Sequence, residues 1–308
     1  MKTILVTGSA GFLGKKVVID LLKNNYHVIG LDIKESNIVH PHFKEIISDI
    51  RDFEIATEIH TIIHLASVMN PPKEMSDGEI ESIEIDGLKN LLHLYKKNKT
   101  KKFIFASSGA AYGYTKRNLT PLKETDHILG SIYFPYSKHK AEAEKIITEK
   151  LSPNEYTIFR PGTILGDGMR GPLYDYFKKK MVVGVLHYDS PFCFIHTGDV
   201  VTAITQATQK ENLYGIFNLA GDGALKLKEC CKILQSKHIA LPKIALRAGI
   251  HLLKKFKMTQ YHPYQVDFMC YRPVLNNDKL KKNFTGLPSK SSEEVFREFC
   301  EKELTIKE

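Results

Sequence analysis

The apolar residues in the first half of the chain alternate between two spacings. Residues 12–23 (FLGKKVVIDLLK) carry apolar side chains three and four positions apart, which predicts an amphipathic helix. Short, nearly continuous apolar runs separate such segments and are typical of strands buried on both faces. The strands predicted in this way are 3–6, 27–31, 44–48, 61–66, 102–107, 156–160 and 214–219. The helices predicted in this region are 12–23, 80–98, 136–150 and 198–209.

Alternating strands and helices predict the α/β class, with a Rossmann-type, doubly wound parallel sheet that has helices on both faces. We assign this domain to residues 1–165, with 196–220 returning to it. After residue 161 the alternation is less regular, and 161–168 (PGTILGDG) is predicted to be a loop. The remaining segments, 166–195 and 221–308, are expected to form a smaller C-terminal substrate-binding lobe. Its predicted helices are 225–236, 241–257 and 291–303.

Composition narrows the class of protein. No apolar run approaches the ~18 residues that a membrane-spanning helix needs. The short apolar run at the N-terminus is typical of a buried strand, because it lacks the longer apolar core and the cleavage site of a signal peptide. The five cysteines include no C-x-x-C pair, and their odd number does not suggest a disulfide framework. We therefore expect reduced thiols and a cytoplasmic protein.

The net charge of +9 is concentrated in the C-terminal third, since residues 224–308 hold 17 Lys and Arg against nine Asp and Glu. This excess fits an anionic ligand or an acidic surface, and it also fits a solvated basic face. Predicted helix 241–257 mixes apolar residues with Arg247, Lys254 and Lys255. Such a helix suits an anionic membrane surface or a lipid-like substrate. It can also pack its apolar face on the domain, which is the interpretation we favour here.

Three glycines, Gly8, Gly11 and Gly14, follow the first predicted strand with the spacing G-x-x-G-x-x-G. A strand before this segment and a helix after it are the context in which such a loop binds a dinucleotide. Glycine lets backbone N–H groups approach a pyrophosphate, and the helix N-terminus favours its negative charge. Asp32 ends the next predicted strand, where a carboxylate can bind the ribose hydroxyls of NAD and repel the 2′-phosphate of NADP.

Tyr136 and Lys140 are four residues apart, so a helix places both on one face. A lysine ammonium near a phenol favours the phenolate and lowers the pKa of the phenol toward the working pH. Such a tyrosine can exchange a proton with a substrate hydroxyl while a hydride moves to or from a nicotinamide. Ser107 and Ser108 end predicted strand 102–107, where a serine can position the reacting oxygen.

Together these motifs resemble the extended short-chain dehydrogenases/reductases, in the group of NAD-dependent epimerases and dehydratases. The matching segments run in family order over about residues 1–221. They are TGSAGFLG (7–14), LD (31–32), SDI (48–50), IIHLAS (62–67), FIFASSGAAYG (103–113), YSKHK (136–140), FRPGTILG (159–166), FIHTGDVV (194–201) and FNLAG (217–221).

The resemblance implies NAD as cofactor and assigns roles to residues. Ser108, Tyr136 and Lys140 would be catalytic, with Tyr136 as the acid/base and Lys140 holding the nicotinamide ribose. Besides Tyr136 and Lys140, the implied cofactor-binding residues are Gly8, Gly11, Phe12, Leu13, Gly14, Asp32, Asp49, Ile50, Leu65, Ala66, Ser67, Pro161 and Gly162. His196 and Asp199 would be structural.

The resemblance also implies a small-molecule substrate, with neither a metal nor a nucleic acid as partner. It implies a homodimer formed through helices 80–98 and 136–150.

The sequence departs from the nucleotide-sugar members at three places. The Asn that often follows the Arg-Pro strand is missing, and so is the Arg that often precedes the segment at Phe194. Asp86 lies on a helix where the family frequently has Asn.

Three functions therefore stay open. The first is epimerisation or dehydration of a nucleotide sugar with NAD recycled. The second is net oxidation or reduction of a hydroxyl or ketone substrate, as in steroid- or flavonol-type relatives. The third is a non-catalytic NAD(H)-binding scaffold.

Overall fold

A computed structural model describes residues 1–69, 71–72, 74–259 and 261–304. The strands are β1 Thr3–Thr7, β2 His27–Asp32, β3 Phe43–Ile47, β4 Thr61–His64, β5 Lys102–Ala106, β6 Tyr156–Pro161, β7 Thr163–Leu165, β8 Met181–Val185, β9 Pro191–Phe192, β10 Phe194–His196, β11 Gly215–Leu219, β12 Leu225–Lys226 and β13 Lys237–Leu241.

The α-helices are α1 Phe12–Lys23, α2 Asp77–Glu81, α3 Gly87–Lys97, α4 Pro135–Lys150, α5 Pro172–Phe177, α6 Thr197–Gln209, α7 Leu227–Ile233, α8 Lys243–Lys255, α9 Val266–Cys270, α10 Asp278–Asn283 and α11 Ser292–Phe299. Two π-helical turns, Ser82–Asp86 and Cys300–Leu304, continue α2 and α11. Single 3₁₀ turns lie at Gly109–Tyr112, Lys116–Leu119 and Pro263–Gln265.

Seven parallel strands form the main sheet in the order β11-β6-β5-β4-β1-β2-β3. The chain builds outward from β1 through β2 to β3, and then returns to the other side of β1 at β4. Strand order therefore reverses between β1 and β4, and doubly wound sheets bind ligands at the carboxyl ends of strands beside such a reversal. The predicted Rossmann-type fold is confirmed.

The sheet is covered on both faces because its strands are apolar at consecutive positions. On one face Ile4 and Val6 of β1 pack with the helical residues Val17 and Ile204. On the other face Leu5, between them in the sequence, belongs to a second core that includes residues of α3 and α4. Residues 197–219 return to the sheet, since α6 supports the first core and β11 pairs with β6.

Most of the remaining elements form a separate, smaller core that is rich in phenylalanine, whereas Leu280 and Phe284 at α10 join the first core of the sheet. The ring of Phe177 lies 5.0 Å from that of Phe296, and Phe192, Phe194 and Phe299 join the same cluster. Short strands that pair with distant segments frame this core, and they correct three sequence predictions. Predicted loop 161–168 contains β7, which pairs with β10. The predicted helices 225–236 and 241–257 begin later, because β12 and the end of β13 occupy their first residues.

Helix α8 differs from the expectation that its apolar face packs on the domain. No residue of α8 is fully buried, and only Leu246 and Ile250 pack against a small cluster around Val266 and Tyr271. In the part of the chain that the structure describes, no helix is long and apolar enough to cross a membrane.

A buried ion pair joins α4 to the sheet. The Arg160 guanidinium on β6 donates to the Glu144 carboxylate at 2.6 Å, and both side chains are almost fully buried. The Ser107 hydroxyl donates to the same carboxylate. Removing one member of a buried ion pair lowers the stability of the folded protein, because the other charge stays buried without a partner.

We expect Glu144→Gln to lower the free energy of unfolding by about 3 kcal/mol, since it strands the Arg160 charge. Urea unfolding followed by circular dichroism measures the change. The control is Glu149→Gln on the same helix, whose carboxylate lies 3.9 Å from Lys145 in an exposed pair and should cost less than about 0.5 kcal/mol. Equal losses in the two variants would contradict a special role for the buried pair.

Candidate active site

The glycine loop crosses the carboxyl end of β1 at the point where strand order reverses. Gly8 has φ +70°, and a Cβ there would lie 2.7 Å from the Ala66 nitrogen. A Cβ on Gly14 would lie 1.9 Å from the Gly8 carbonyl oxygen. Only glycine fits these two positions, and their close packing starts α1 directly behind the loop. The N–H groups of its first turn lack partners within the helix and point toward the crevice.

Asp32 ends β2 beside this loop. Its carboxylate accepts a hydrogen bond from the Ala10 N–H at 3.0 Å and another from the Lys34 N–H at 3.1 Å. The side chain is half-buried. The structure thus brings an anionic acceptor next to a glycine-lined helix N-terminus, an arrangement that fits the adenosine ribose and pyrophosphate of NAD.

The other residues implied for the cofactor fall into two groups. Most lie at this edge of the sheet: Gly11, Phe12 and Leu13 at the start of α1, Leu65, Ala66 and Ser67 after β4, and Pro161 and Gly162 at the end of β6. Asp49 and Ile50 follow β3. The Ile50 side chain is in the core against Gly87, and Asp49 pairs with Arg51 at 2.6 Å, which lowers the pKa of its carboxyl.

Tyr136, in the first turn of α4, faces the residues that follow β5. The Ser108 hydroxyl acts on the Tyr136 phenol by lowering its pKa, and it accepts a hydrogen bond from the Ala110 N–H at 3.1 Å. Lys140 lies one turn after Tyr136, with its Nζ 5.6 Å from the centre of the phenol ring. The structure thus brings Ser108, Tyr136 and Lys140 together, while Ser107 points to Glu144 on the other side.

The pKa values in this cluster differ from the simple expectation that Lys140 lowers the pKa of Tyr136. Burial raises the pKa of Tyr136 to about 12, and the hydrogen bond from Ser108 acts in the opposite direction. Burial lowers the pKa of Lys140. Its ammonium lies 3.8 Å from a carboxylate oxygen of Glu84, whose negative charge counters the effect of Lys140 on the phenol.

Glu84 is the site residue that sequence reasoning missed. It lies in the π-helical turn between α2 and α3 and is almost fully buried. Its carboxylate accepts hydrogen bonds from the Ser67 hydroxyl at 2.6 Å and the Val68 N–H at 2.5 Å. Asp86, where a departure from the family was expected to matter, is exposed and pairs with Lys89.

A sequence signal for Glu84 was available. It lies four residues after Ile80 and four before Leu88, both buried, so its carboxylate interrupts the apolar side of the helix. π-helical turns also occur frequently at functional sites.

Arg272, after α9, is a second residue that the sequence did not identify. Its guanidinium lies 3.9 Å from the ring centre of Phe192 and 4.8 Å from that of Phe268. Its Nε is buried without a hydrogen-bond acceptor among the described residues. Burial lowers its pKa, and the groups that counter this are tyrosines and cysteines rather than carboxylates. Among the described residues, this half-buried cation therefore has no anionic partner.

Aromatic rings connect Arg272 to the tyrosine site. The Phe268 ring lies 4.3 Å from that of Tyr114 and 5.1 Å from that of Phe134, and Phe134 lies 5.8 Å from Tyr136. His196 and Asp199, by contrast, are structural, as expected. The His196 ring caps α6 by accepting from the Gly198 N–H, and Asp199 accepts from Ser289 on the C-terminal segment.

Fold and site together define a dinucleotide-binding protein with a tyrosine and lysine beside the cofactor crevice. Its residues 4–220 match the model of the NAD dependent epimerase/dehydratase family. The chain therefore belongs to this family, whose cofactor is NAD.

Individual proteins are also similar to the chain. It is 30% identical over 235 residues to a Methanocaldococcus jannaschii protein provisionally named UDP-glucose 4-epimerase, covering 68% of this chain and 74% of that protein. It is 25% identical over 282 residues to the dTDP-4-dehydro-6-deoxyglucose reductase of Escherichia coli, covering 80% and 85%. The structure of UDP-glucuronic acid 4-epimerase from Bacillus cereus in complex with NAD has the same fold, with a TM-score of 0.74, 19% identity and coverage of 97% and 98%.

We expect Glu84→Gln to shift the pH dependence of turnover. The Glu84 carboxylate raises the pKa of Tyr136, so its removal lowers that pKa and populates the basic phenolate at lower pH. The limb of the kcat/KM profile that rises with pH, in the direction that needs a base, should therefore move to lower pH. The control is Glu81→Gln, an exposed carboxylate one turn earlier that pairs with Lys138 at 3.0 Å. An unshifted limb in Glu84→Gln would contradict this coupling.

Proposed function

We propose that the protein is an NAD-dependent enzyme that acts on a nucleoside diphosphate sugar and exchanges a proton with a sugar hydroxyl through Tyr136. The observation that carries the substrate class is the Arg272 cation, which lies close to the tyrosine site and has no anionic partner in the described part of the chain. A guanidinium binds phosphate oxygens through parallel N–H groups, which suits the diphosphate of such a substrate.

The family's named members support this substrate class. The relatives described above are named for UDP-glucose and for a dTDP-sugar, and the similar structure for UDP-glucuronic acid. This chain lacks the Asn that often follows the Arg-Pro strand in the family and the Arg that often precedes the segment at Phe194. Arg272 would supply a cation for the diphosphate from a different segment of the chain.

Each residue near Tyr136 has a distinct part in the proposal. The phenol of Tyr136 takes the proton of the sugar hydroxyl or returns it, and the Ser108 hydroxyl holds the reacting oxygen near it. The Lys140 ammonium, kept in place by Glu84, stabilises the phenolate and can donate hydrogen bonds to a ribose. NAD, when bound, supplies the acceptor or donor of the hydride.

A net reductase is the second candidate, favoured by the relationship to the dTDP-4-dehydro-6-deoxyglucose reductase. An epimerase or dehydratase returns the hydride, so its NADH concentration does not change over the reaction. A reductase consumes NADH in proportion to its product. A non-catalytic NAD-binding scaffold would show neither product nor NADH change.

Domain division, location and assembly complete the proposal. Residues 166–195 and 221–308 form the substrate lobe, with Arg272 in it. The cysteines of the described residues form no disulfide, which supports a reducing, cytoplasmic setting. A homodimer formed through α3 and α4 stays a prediction. The exposed sides of these two helices carry charged residues such as Lys89 and Lys138.

We expect Arg272→Ala to weaken binding of UDP by about 10- to 100-fold, because a charge-assisted contact to the diphosphate is lost. The UDP affinity of Arg272→Lys should lie between that of Arg272→Ala and that of the native protein, because lysine keeps the positive charge but lacks the parallel N–H donors of the guanidinium. Calorimetry with UDP measures both. Arg297→Ala, at an exposed arginine paired with Glu293, is the control and should bind normally. Undiminished UDP affinity in Arg272→Ala would contradict the assigned substrate site.

We expect Tyr136→Phe to reduce kcat by about 10²- to 10⁴-fold, the usual contribution of a positioned acid/base. NMR of the sugar, with NADH absorbance followed in parallel, measures turnover of UDP-glucose, UDP-glucuronic acid and dTDP-4-dehydro-6-deoxyglucose. UDP affinity should stay unchanged, because the loss of one hydroxyl at Tyr136 leaves the charged contact of Arg272 with the diphosphate in place. Full turnover by Tyr136→Phe would exclude Tyr136 as the acid/base. If the native protein turned over none of these sugars, the proposed function would be overturned.

A further inference from the structure

Helix α8 presents an apolar side that no described residue covers. Leu252 and Phe256 are 56% and 65% exposed, and Leu253 lies between them at 41%. Gly249 lies one turn before Leu253, and a Cβ built on it would meet no other atom within 4 Å. Residues spaced three and four apart share one side of a helix, so these four positions form one continuous surface. We call it the α8 surface.

The domain uses only one edge of the helix. Leu246 and Ile250 contact the cluster around Val266, while Lys243 and Arg247 both pair with Asp267. These contacts fix the orientation of α8 firmly. The apolar stripe of an amphipathic helix in a globular protein is normally buried. The apolar stripe of α8 is wider than the part that the domain covers. Its exposed part is therefore available to another partner.

The charge of this region identifies the chemistry of that partner. Residues 230–266 contain seven Lys and Arg and no Asp or Glu. Asp267 pairs with both Lys243 and Arg247, whereas Lys254, Lys255 and Lys257 form no ion pair with any residue that the structure describes. A helix with leucine and phenylalanine on one side and lysines on the other lies in the plane of an anionic membrane surface.

A second copy of the chain fits this surface less well. Two copies meeting through α8 would bring two segments 230–266 together, each with an excess of positive charge, and like charges across an interface repel. An anionic bilayer accepts the apolar side chains and neutralises the lysines at the same time.

The domain-facing edge of α8, opposite the α8 surface, reaches residues that precede the tyrosine site. The Arg247 guanidinium lies 4.6 Å from the ring centre of Tyr264, which stacks on Tyr133 at 4.7 Å. Tyr133 and its exposed neighbour Ile132 immediately precede Phe134, which contacts Tyr136.

We propose that α8, with Phe256 and Met258 after it, docks the protein on the surface of an anionic phospholipid bilayer. The apolar side chains insert at the level of the headgroups, and Lys254, Lys255 and Lys257 bind the anionic headgroups. This proposal rests on the surface itself and is independent of the substrate proposed above.

The absence of tryptophan from the sequence allows a site-specific test. Phe256→Trp places a single tryptophan on the α8 surface. Its fluorescence should shift to shorter wavelength with vesicles of phosphatidylcholine and phosphatidylglycerol, and much less with vesicles of phosphatidylcholine alone. The matched control is Val39→Trp, at a 98% exposed apolar position after β2, which should not shift. No shift at position 256, or equal shifts at both positions, would overturn the proposal.

Vesicle sedimentation of the full chain separates the two contributions. Leu252→Gln combined with Phe256→Gln should weaken binding to anionic vesicles by at least about tenfold, because apolar insertion is lost. Replacing Lys254, Lys255 and Lys257 by Gln should weaken it by about tenfold or more and remove most of its salt dependence. The control replaces the exposed Lys178, Lys179 and Lys180 by Gln, and it should bind normally.

An equal loss in that control would overturn the proposal, because binding would then follow total charge. The sedimentation coefficient without lipid gives the remaining test. A dimer that dissociates in the Leu252→Gln, Phe256→Gln variant, with no vesicle binding by the native chain, would identify α8 as a contact between copies and overturn the bilayer assignment. These variants change exposed side chains only, so their UDP affinity should equal that of the native protein.

Discussion

The close passage of Gly8 against Ala66 and Gly14 is the constraint on which the rest of the site depends. β1 lies between β2 and β4, and its exit from the sheet must leave room for the start of α1. Because Gly8 and Gly14 have no Cβ, backbone meets backbone there, and the helix N-terminus reaches the edge of the sheet. Asp32 then accepts from the Ala10 N–H and fixes the loop from the neighbouring strand. A cofactor site follows from this packing before any catalytic side chain is added.

The side chains proposed to be catalytic are organised by charges buried at the same edge of the sheet. Burial in α4 lowers the pKa of Lys140, and the Glu84 carboxylate beside it acts in the opposite direction. Glu84 is held in turn by Ser67 and Val68, which follow β4. These contacts link the segment after β4 to Tyr136. The pKa of Tyr136 therefore depends on Ser108 and Glu84 as well as on Lys140.

Local patterns predicted much of this structure. The order of β1, α1 and β2 was predictable because apolar spacing, the glycine loop and Asp32 lie within a few dozen residues of one another. The spacing of Tyr136 and Lys140 was informative for the same reason. The short strands β7, β12 and β13 were not predictable, because each depends on a partner far along the chain. The role proposed for Arg272 could not be predicted either, because it depends on which described residues surround the guanidinium in three dimensions, and none of them is a carboxylate. The position of α8 was misjudged because periodicity shows that a helix has an apolar side and does not show how much of it the domain covers.

Cofactor preference tests the central claim most directly, because it depends on the loop, the helix N-terminus and Asp32 together. Calorimetric titration of the native protein and of Asp32→Ala with NAD and with NADP measures it. We predict that the native protein binds NAD more tightly than NADP and that Asp32→Ala loses most of this preference. NADP binding as tight as NAD binding in the native protein, or an unchanged preference in Asp32→Ala, would contradict the account.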